Sequence, residues 1–226
     1  MATSGTVAYR PDIEEIIDEA FERCGIDPQT RTGGEAVSAR RSLNLLFSEW
    51  SNRGWNYWTL AYKTVTLVAD QAAYTLDAGL VDIVDVVYRK VSGSKSTDQS
   101  MIRVAISEYN QIPNKTDGGV SSQYMLDRQY TPIMTVWQVP DNATDSIRYY
   151  GIFQPDDITA SNQDADIPYR WTDALCAGLA AKLAVKFAPD RTNNLFQLYE
   201  RAFQFASDEE GASVRLRIKP TGLNLY

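Results

Sequence analysis

Residues 168–187, PYRWTDALCAGLAAKLAVKF, decide how this chain is built. Trp171, Leu175, Leu179 and Leu183 recur every fourth residue, which places them on one stripe of an α-helix. Beside that stripe run Ala174, Ala177, Gly178, Ala181 and Ala184, small side chains that let another helix approach closely. Pro189 breaks the run, because proline cannot donate to a helical ladder. A further helix then takes Leu195, Leu198, Tyr199, Ala202, Phe205 and Ala206 on one face.

The beginning of the chain has the same character. Ile13, Ile16, Ile17, Ala20, Phe21 and Cys24 recur at helical spacing, with Asp12, Glu14, Glu15, Asp18, Glu19 and Glu22 on the outer face. Pro11 and Asp12 suit its first turn, and Gly25 followed by Pro28 stops it. A polar link, residues 29–34, leads to a second helix from about Glu35 to Asn52, with a stripe of Ala36, Ala39, Leu43, Leu46, Phe47 and Trp50. The two helices read as a hairpin. Trp50, Trp55, Tyr57 and Trp58 follow closely, either plugging a core where helix meets the next layer or forming an aromatic ligand platform.

From Thr59 the period changes to two. Leu60–Val68 alternates and is rich in β-branched residues. Segments 73–76, 83–88, 101–104, 124–127, 133–137 and 146–153 continue the pattern, interrupted by one short helix over Ile106–Gln111. Residues 92–100 and 114–122 read as flexible breaks by composition. The expected fold is α+β: a four-helix bundle of N- and C-terminal helices, an inserted β-rich domain and an extended C-terminal tail. The expected boundaries are 1–58, 59–153, 154–211 and 212–226.

Composition removes several function classes. Histidine is absent, which excludes His-dependent triads, His–metal sites and His pH switches. The net charge is −7, and no run of Lys and Arg exceeds two residues, so the chain lacks the basic patch of a nucleic-acid binder. Cys24 and Cys176 form no CxxC and fall on apolar helix faces, as small hydrophobes do. Residues 1–8 lack the pattern of a signal peptide, and the longest apolar stretch, Leu175–Ala181, is too short for a bilayer. No glycine-rich phosphate loop and no GxSxG elbow occurs. Asn162–Asp166 opens like a calcium loop but has Ile167 where glycine is required and Asp173 where the bidentate Glu belongs. Asp164, Asp166 and Asp173 are better read as loop and helix-start residues. Carboxylate neighbours such as Asp156–Asp157 and Glu209–Glu210 carry no specificity for acid–base chemistry. No catalytic residue, cofactor or metal is expected.

The tail differs from everything before it. Ser213-Val-Arg-Leu-Arg-Ile-Lys-Pro alternates apolar and basic residues, a strand-like pattern. It suits either β-addition to an edge elsewhere or a terminal strand in the chain's own sheet.

Taken in order, several segments resemble one family. These are Glu14–Ile26, Ala39–Trp58, Ser107–Thr116, Tyr124–Gln129, Val136–Asp141, Asp166–Ala184 and Ala188–Arg191. They are similar to the head-to-tail connectors, or tail accessory factors, of short-tailed bacteriophages. The resemblance implies a structural virion protein that is not an enzyme, at the head–tail junction and assembled in the host cytoplasm. It implies a ring of about twelve copies, binding the portal above and the tail tube or nozzle below. Double-stranded DNA would pass through the lumen without sequence-specific binding, and no membrane is involved. It further implies that the C-terminal segment locks into the portal, giving Val214, Arg215, Leu216, Arg217, Ile218 and Lys219 a portal-binding role. The alternatives are a tail-tube or nozzle component, which calls for a dominant β architecture, and a virion-associated peptidoglycan-cleaving enzyme, for which the sequence offers no catalytic residues.

Overall fold

The computed structural model of the chain describes residues 5, 9–54 and 57–211. In chain order its elements are α1 (Ile13–Cys24), α2 (Gly33–Arg53), β1 (Leu60–Thr66), β2 (Ala73–Thr75), β3 (Leu80–Ser92), β4 (Lys95–Ser100) and β5 (Ile102–Arg103). There follow α3 (Ile106–Gln111), β6 (Gln123–Asp127), β7 (Ile133–Trp137), β8 (Ser146–Phe153), α4 (Thr172–Phe187) and α5 (Thr192–Gly211). They divide into a helical unit, drawn from the described residues up to Glu49 and from Asp157 onward, and a β unit, Trp50–Asp156.

In the helical unit, local signals set the ends of the helices. The Asp12 carboxylate accepts the Glu15 backbone N–H at 2.8 Å and caps α1, an interaction worth about 1 kcal/mol. Gly25 ends α1 in the left-handed region (φ 78°), and the Ile26 N–H turns back to the Phe21 carbonyl at 3.0 Å. The six apolar residues of the α1 stripe are all buried. Arg31, in the connection after α1, pairs back to Glu14 at 2.7 Å and to Asp18. Thr32 and Glu35 then form a reciprocal capping box, with backbone bonds of 2.6 and 3.3 Å, that starts α2.

The α+β class holds, but the helices do not form a four-helix bundle. In a bundle each helix buries one stripe toward a shared axis and keeps an outer face. Here α4 is buried at every position from Ala174 to Ala181, two turns with no outer face. It serves as a hub. Among helix pairs, close backbone approaches are those of α1 with α4 and of α4 with α5. Helix α2 reaches α4 through longer side chains. A Cβ on Gly178 would stand 2.8 Å from Leu46 of α2 and 2.9 Å from Tyr199 of α5, so this glycine makes room for both neighbours. At the same junction the Glu49 carboxylate accepts from Lys182 at 2.8 Å and from the Tyr199 hydroxyl at 2.9 Å. Lys186 donates to Ser42 at 2.7 Å and to Ser38 at 3.0 Å. Helix α4 therefore meets neighbours on several sides, and a single stripe understates it.

The buried face of α5 also differs from the expected one. Leu195, Tyr199, Phe203 and Ala206 are buried, whereas Leu198 and Phe205 are 48 % and 62 % exposed. Apolar residues flank both sides of the true face, so periodicity alone cannot fix its rotation.

The β unit holds two four-stranded sheets, ordered β1-β8-β3-β4 and β2-β7-β6-β5. Neighbours are antiparallel except β5 with β6, which run parallel. Inward residues of both sheets, among them Val86, Tyr88, Ile147 and Tyr149 from one and Tyr74, Leu126, Met134 and Val136 from the other, form one core. Strands β6, β7 and β8 alternate between buried and half-buried positions. Residues 95–100, expected as part of a flexible break, are strand β4. It pairs with the end of β3 from Ser92–Lys95 to Val87–Ser100. All six of its residues are exposed, so it carries no apolar alternation to read. At the end of α2, the fully buried Trp50 meets Trp58 edge-on with ring centres 6.4 Å apart; Trp55 lies outside the described residues.

Candidate interaction surfaces

A cleft of about 650 Å³ in the helical unit opens between α1 and the start of α4. The α1 wall presents Glu15, Asp18, Glu19 and Glu22 above Ile16. These residues line a groove because the outer face of α1 carries its carboxylates three and four residues apart, one turn above another. The opposite wall is Tyr169, Arg170, Thr172, Asp173 and Cys176, with Tyr9 and Pro11 completing the lining. Tyr9 and Tyr169 meet edge-to-face at 6.4 Å.

Arg23 fastens the two walls together, donating to Glu19 at 2.7 Å and to Asp173 at 2.8 Å. Burial disfavours its charge, but the two carboxylates outweigh burial and hold the guanidinium more firmly protonated than usual. Burial pushes the Cys176 thiol up to about 11, with Arg23 opposing weakly, and raises Cys24 as well. Cys24 donates to the Ala180 carbonyl at 3.4 Å. Both cysteines are free and buried, and both stay neutral thiols at physiological pH.

The 157–168 segment is fixed by backbone bonds that sequence reasoning does not foresee. The Ile13 and Glu14 N–H groups donate to the carbonyls of Gln163 and Ser161 at 2.9 and 3.0 Å, so this loop satisfies the exposed end of α1. Asn44 clamps Ile158, giving to its carbonyl at 3.2 Å and taking from its N–H at 3.0 Å. Asp164 makes a backbone bridge with Asp12, while Asp173 points to Arg23. Among the described residues, no cluster of three or more His, Cys, Asp or Glu is arranged to hold a metal. Among them, too, no helix is long and apolar enough to cross a membrane.

The β unit offers a second surface. Tyr62 and Tyr150 face each other across β1 and β8 at 5.1 Å, and the Arg148 guanidinium stands 4.8 Å over the Tyr62 ring. Two strands away, Arg89 grips Asp98 with two bonds of 2.6 Å each. Tyr62 is half exposed, so this face presents aromatic and guanidinium groups together.

The residues expected to bind a portal, Val214, Arg215, Leu216, Arg217, Ile218 and Lys219, lie outside the described residues. No curated protein matches the chain. The family model of the SU10 adaptor protein matches residues 12–219, which takes in α1, every strand of the β unit, the hub helix and α5. With a match of that extent, the chain belongs to the SU10 adaptor protein family of bacteriophage adaptors.

Proposed function

We propose that the protein is the head-to-tail adaptor of a short-tailed bacteriophage, about twelve copies of which form a ring between portal and tail tube or nozzle. The observation that carries this reading is the family match from residue 12 to residue 219, which spans both units and reaches into the tail. The ring forms part of the channel through which double-stranded DNA leaves the head. A net charge of −7 suits that passage, because an acidic chain does not release phosphate counterions and so does not hold the duplex. The segment Val214–Lys219 attaches the ring to the portal. Its alternation of Val214, Leu216 and Ile218 with Arg215, Arg217 and Lys219 suits addition of a strand to a partner's sheet edge.

The test is a truncation. The full chain and a variant ending at Ala212 are mixed with purified portal rings and sedimented. The full chain should travel with the portal. The truncated chain should bind at least about tenfold more weakly, a difference of roughly 1.4 kcal/mol, while keeping the same far-UV circular dichroism. Equal co-sedimentation of both would remove the tail from the attachment.

A further inference from the structure

The acidic cleft between α1 and α4 has a ligand in the chain itself: we propose that in the free chain it holds the basic segment 213–219. Its lining carries five carboxylates, Glu15, Asp18, Glu19, Glu22 and Asp173, against two guanidinium groups, Arg23 and Arg170. Arg23 is already engaged with Glu19 and Asp173, and Arg31 reaches Asp18 from outside. Glu15 and Glu22 have no ion-pair partner among the described residues, and both are exposed. A cleft with surplus negative charge and an apolar floor selects a cationic, amphipathic occupant.

The tail has that chemistry and a matching geometry. In an extended strand successive side chains point to opposite sides, so Arg215, Arg217 and Lys219 share one side and Val214, Leu216 and Ile218 the other. The cleft has two unlike walls: the carboxylates of α1 on one, and on the other Tyr169, Thr172 and the neutral Cys176 together with Arg170 and Asp173. Alternate residues of a strand repeat about every 6.7 Å, close to the roughly 5.4 Å between successive turns of α1 that carry Glu15, Asp18 or Glu19, and Glu22. The basic side of the strand therefore runs along the turns of α1 that carry Glu15 and Glu22, unpaired among the described residues.

The tail also starts in reach. Phe203 of α5 packs on Trp171 at the start of α4, with ring centres 5.3 Å apart, while Tyr199 lies beside Gly178. Helix α5 thus runs antiparallel to α4 and ends beyond the end of α4 that lines the cleft. Gly211 stands eight residues past Phe203, about 12 Å along the helix axis. From Gly211 an extended chain covers up to about 26 Å by Lys219. Attachment through a short tether keeps the segment at a millimolar local concentration, so that its ion pairs and the apolar side of Val214, Leu216 and Ile218 act together within one chain. This docking does not depend on a portal.

Carbodiimide coupling of the intact full chain tests it, because that reagent joins an amine to a carboxylate only where the two are in contact. Peptide mapping should find the Lys219 amine joined to Glu15 or Glu22 within single chains, in a yield unaffected by tenfold dilution. The double variant R215E/R217E should lower that yield roughly fivefold or more, with an unchanged melting curve. Three results would overturn the proposal: coupling of Lys219 spread evenly over surface acids such as Asp157 and Asp190, a yield that ignores R215E/R217E, or products found only as covalent dimers.

Discussion

Trp171→Ala is expected to destabilise the helical unit by about 3–5 kcal/mol. Trp171 is fully buried at the entry to the hub helix, and its indole stands edge-on to Phe203 of α5. The truncation removes a fully buried indole among buried neighbours, Ala174 and Leu175 on α4 and Phe203 on α5. Those neighbours are held by helix backbones and cannot collapse into the void, so the cavity cost adds to the lost burial. Natural domains are stable by about 5–15 kcal/mol, so the variant is left marginal. Urea unfolding followed by helical circular dichroism should show a midpoint well below that of the parent chain, with an unchanged slope. Trp171→Phe keeps an aromatic partner for Phe203 and should cost clearly less. A Trp171→Ala midpoint within the error of the parent would contradict the hub arrangement.

Asp145→Ala is the second large effect and belongs to the β unit. Asp145 is 3 % exposed, just before β8, and its carboxylate is an acceptor for three donors. The Val91 N–H reaches it at 2.7 Å, the Tyr88 hydroxyl at 2.8 Å and the Asn142 amide at 3.1 Å. Alanine leaves those donors without their partner in a core setting, which costs about 2–4 kcal/mol. Asp145→Asn keeps the shape but loses the charge and one acceptor, and should recover only part of the loss. The pair also sets a pH window. Burial acts to raise the Asp145 carboxyl, but the bonds from Val91, Asn142 and Tyr88 prevail and leave it below the usual carboxylate range. A folded value below the unfolded one gives stability that is full above about pH 4 and is lost as pH falls through the folded value. Tyr88 is shifted the other way: burial and then the bond to Asp145 push its hydroxyl far above the ordinary value. Its contribution is complete below about pH 10 and declines at higher pH, where the unfolded chain ionises first. Asp145→Ala should flatten the acid limb of the stability profile of the β unit and weaken the alkaline limb, which burial of Tyr88 still supports, as measured by thermal melting across pH. A variant whose acid limb matched the parent's would show that other groups govern it.

Much of this fold was legible because local chemistry and tertiary structure agree. Helix α1 has an apolar stripe, a capping Asp12 and a stopping Gly25, and each feature has the role its position suggests. The alternating segments became strands because one face of each meets the shared core. What was not legible depends on partners distant in sequence. The run Ala174–Ala181 reads as a stripe beside a small face, yet its neighbours come from three directions and make it a hub. On α5, Leu198 and Phe205 are as apolar as the buried Phe203, and only the position of α4 selects among them. Strand β4 is six exposed residues held by backbone pairing to β3, which leaves no mark on hydropathy. The acidic lining of the α1–α4 cleft was visible as the polar face of an amphipathic helix. That it faces a cleft follows from Tyr169–Cys176, about 150 residues later in the chain.

The adaptor role itself is tested most directly by native mass spectrometry of the full chain mixed with the portal ring of the same phage. A discrete assembly carrying one copy of this chain per portal subunit is the predicted result. Portal rings that remain bare beside a folded, unbound chain would contradict it.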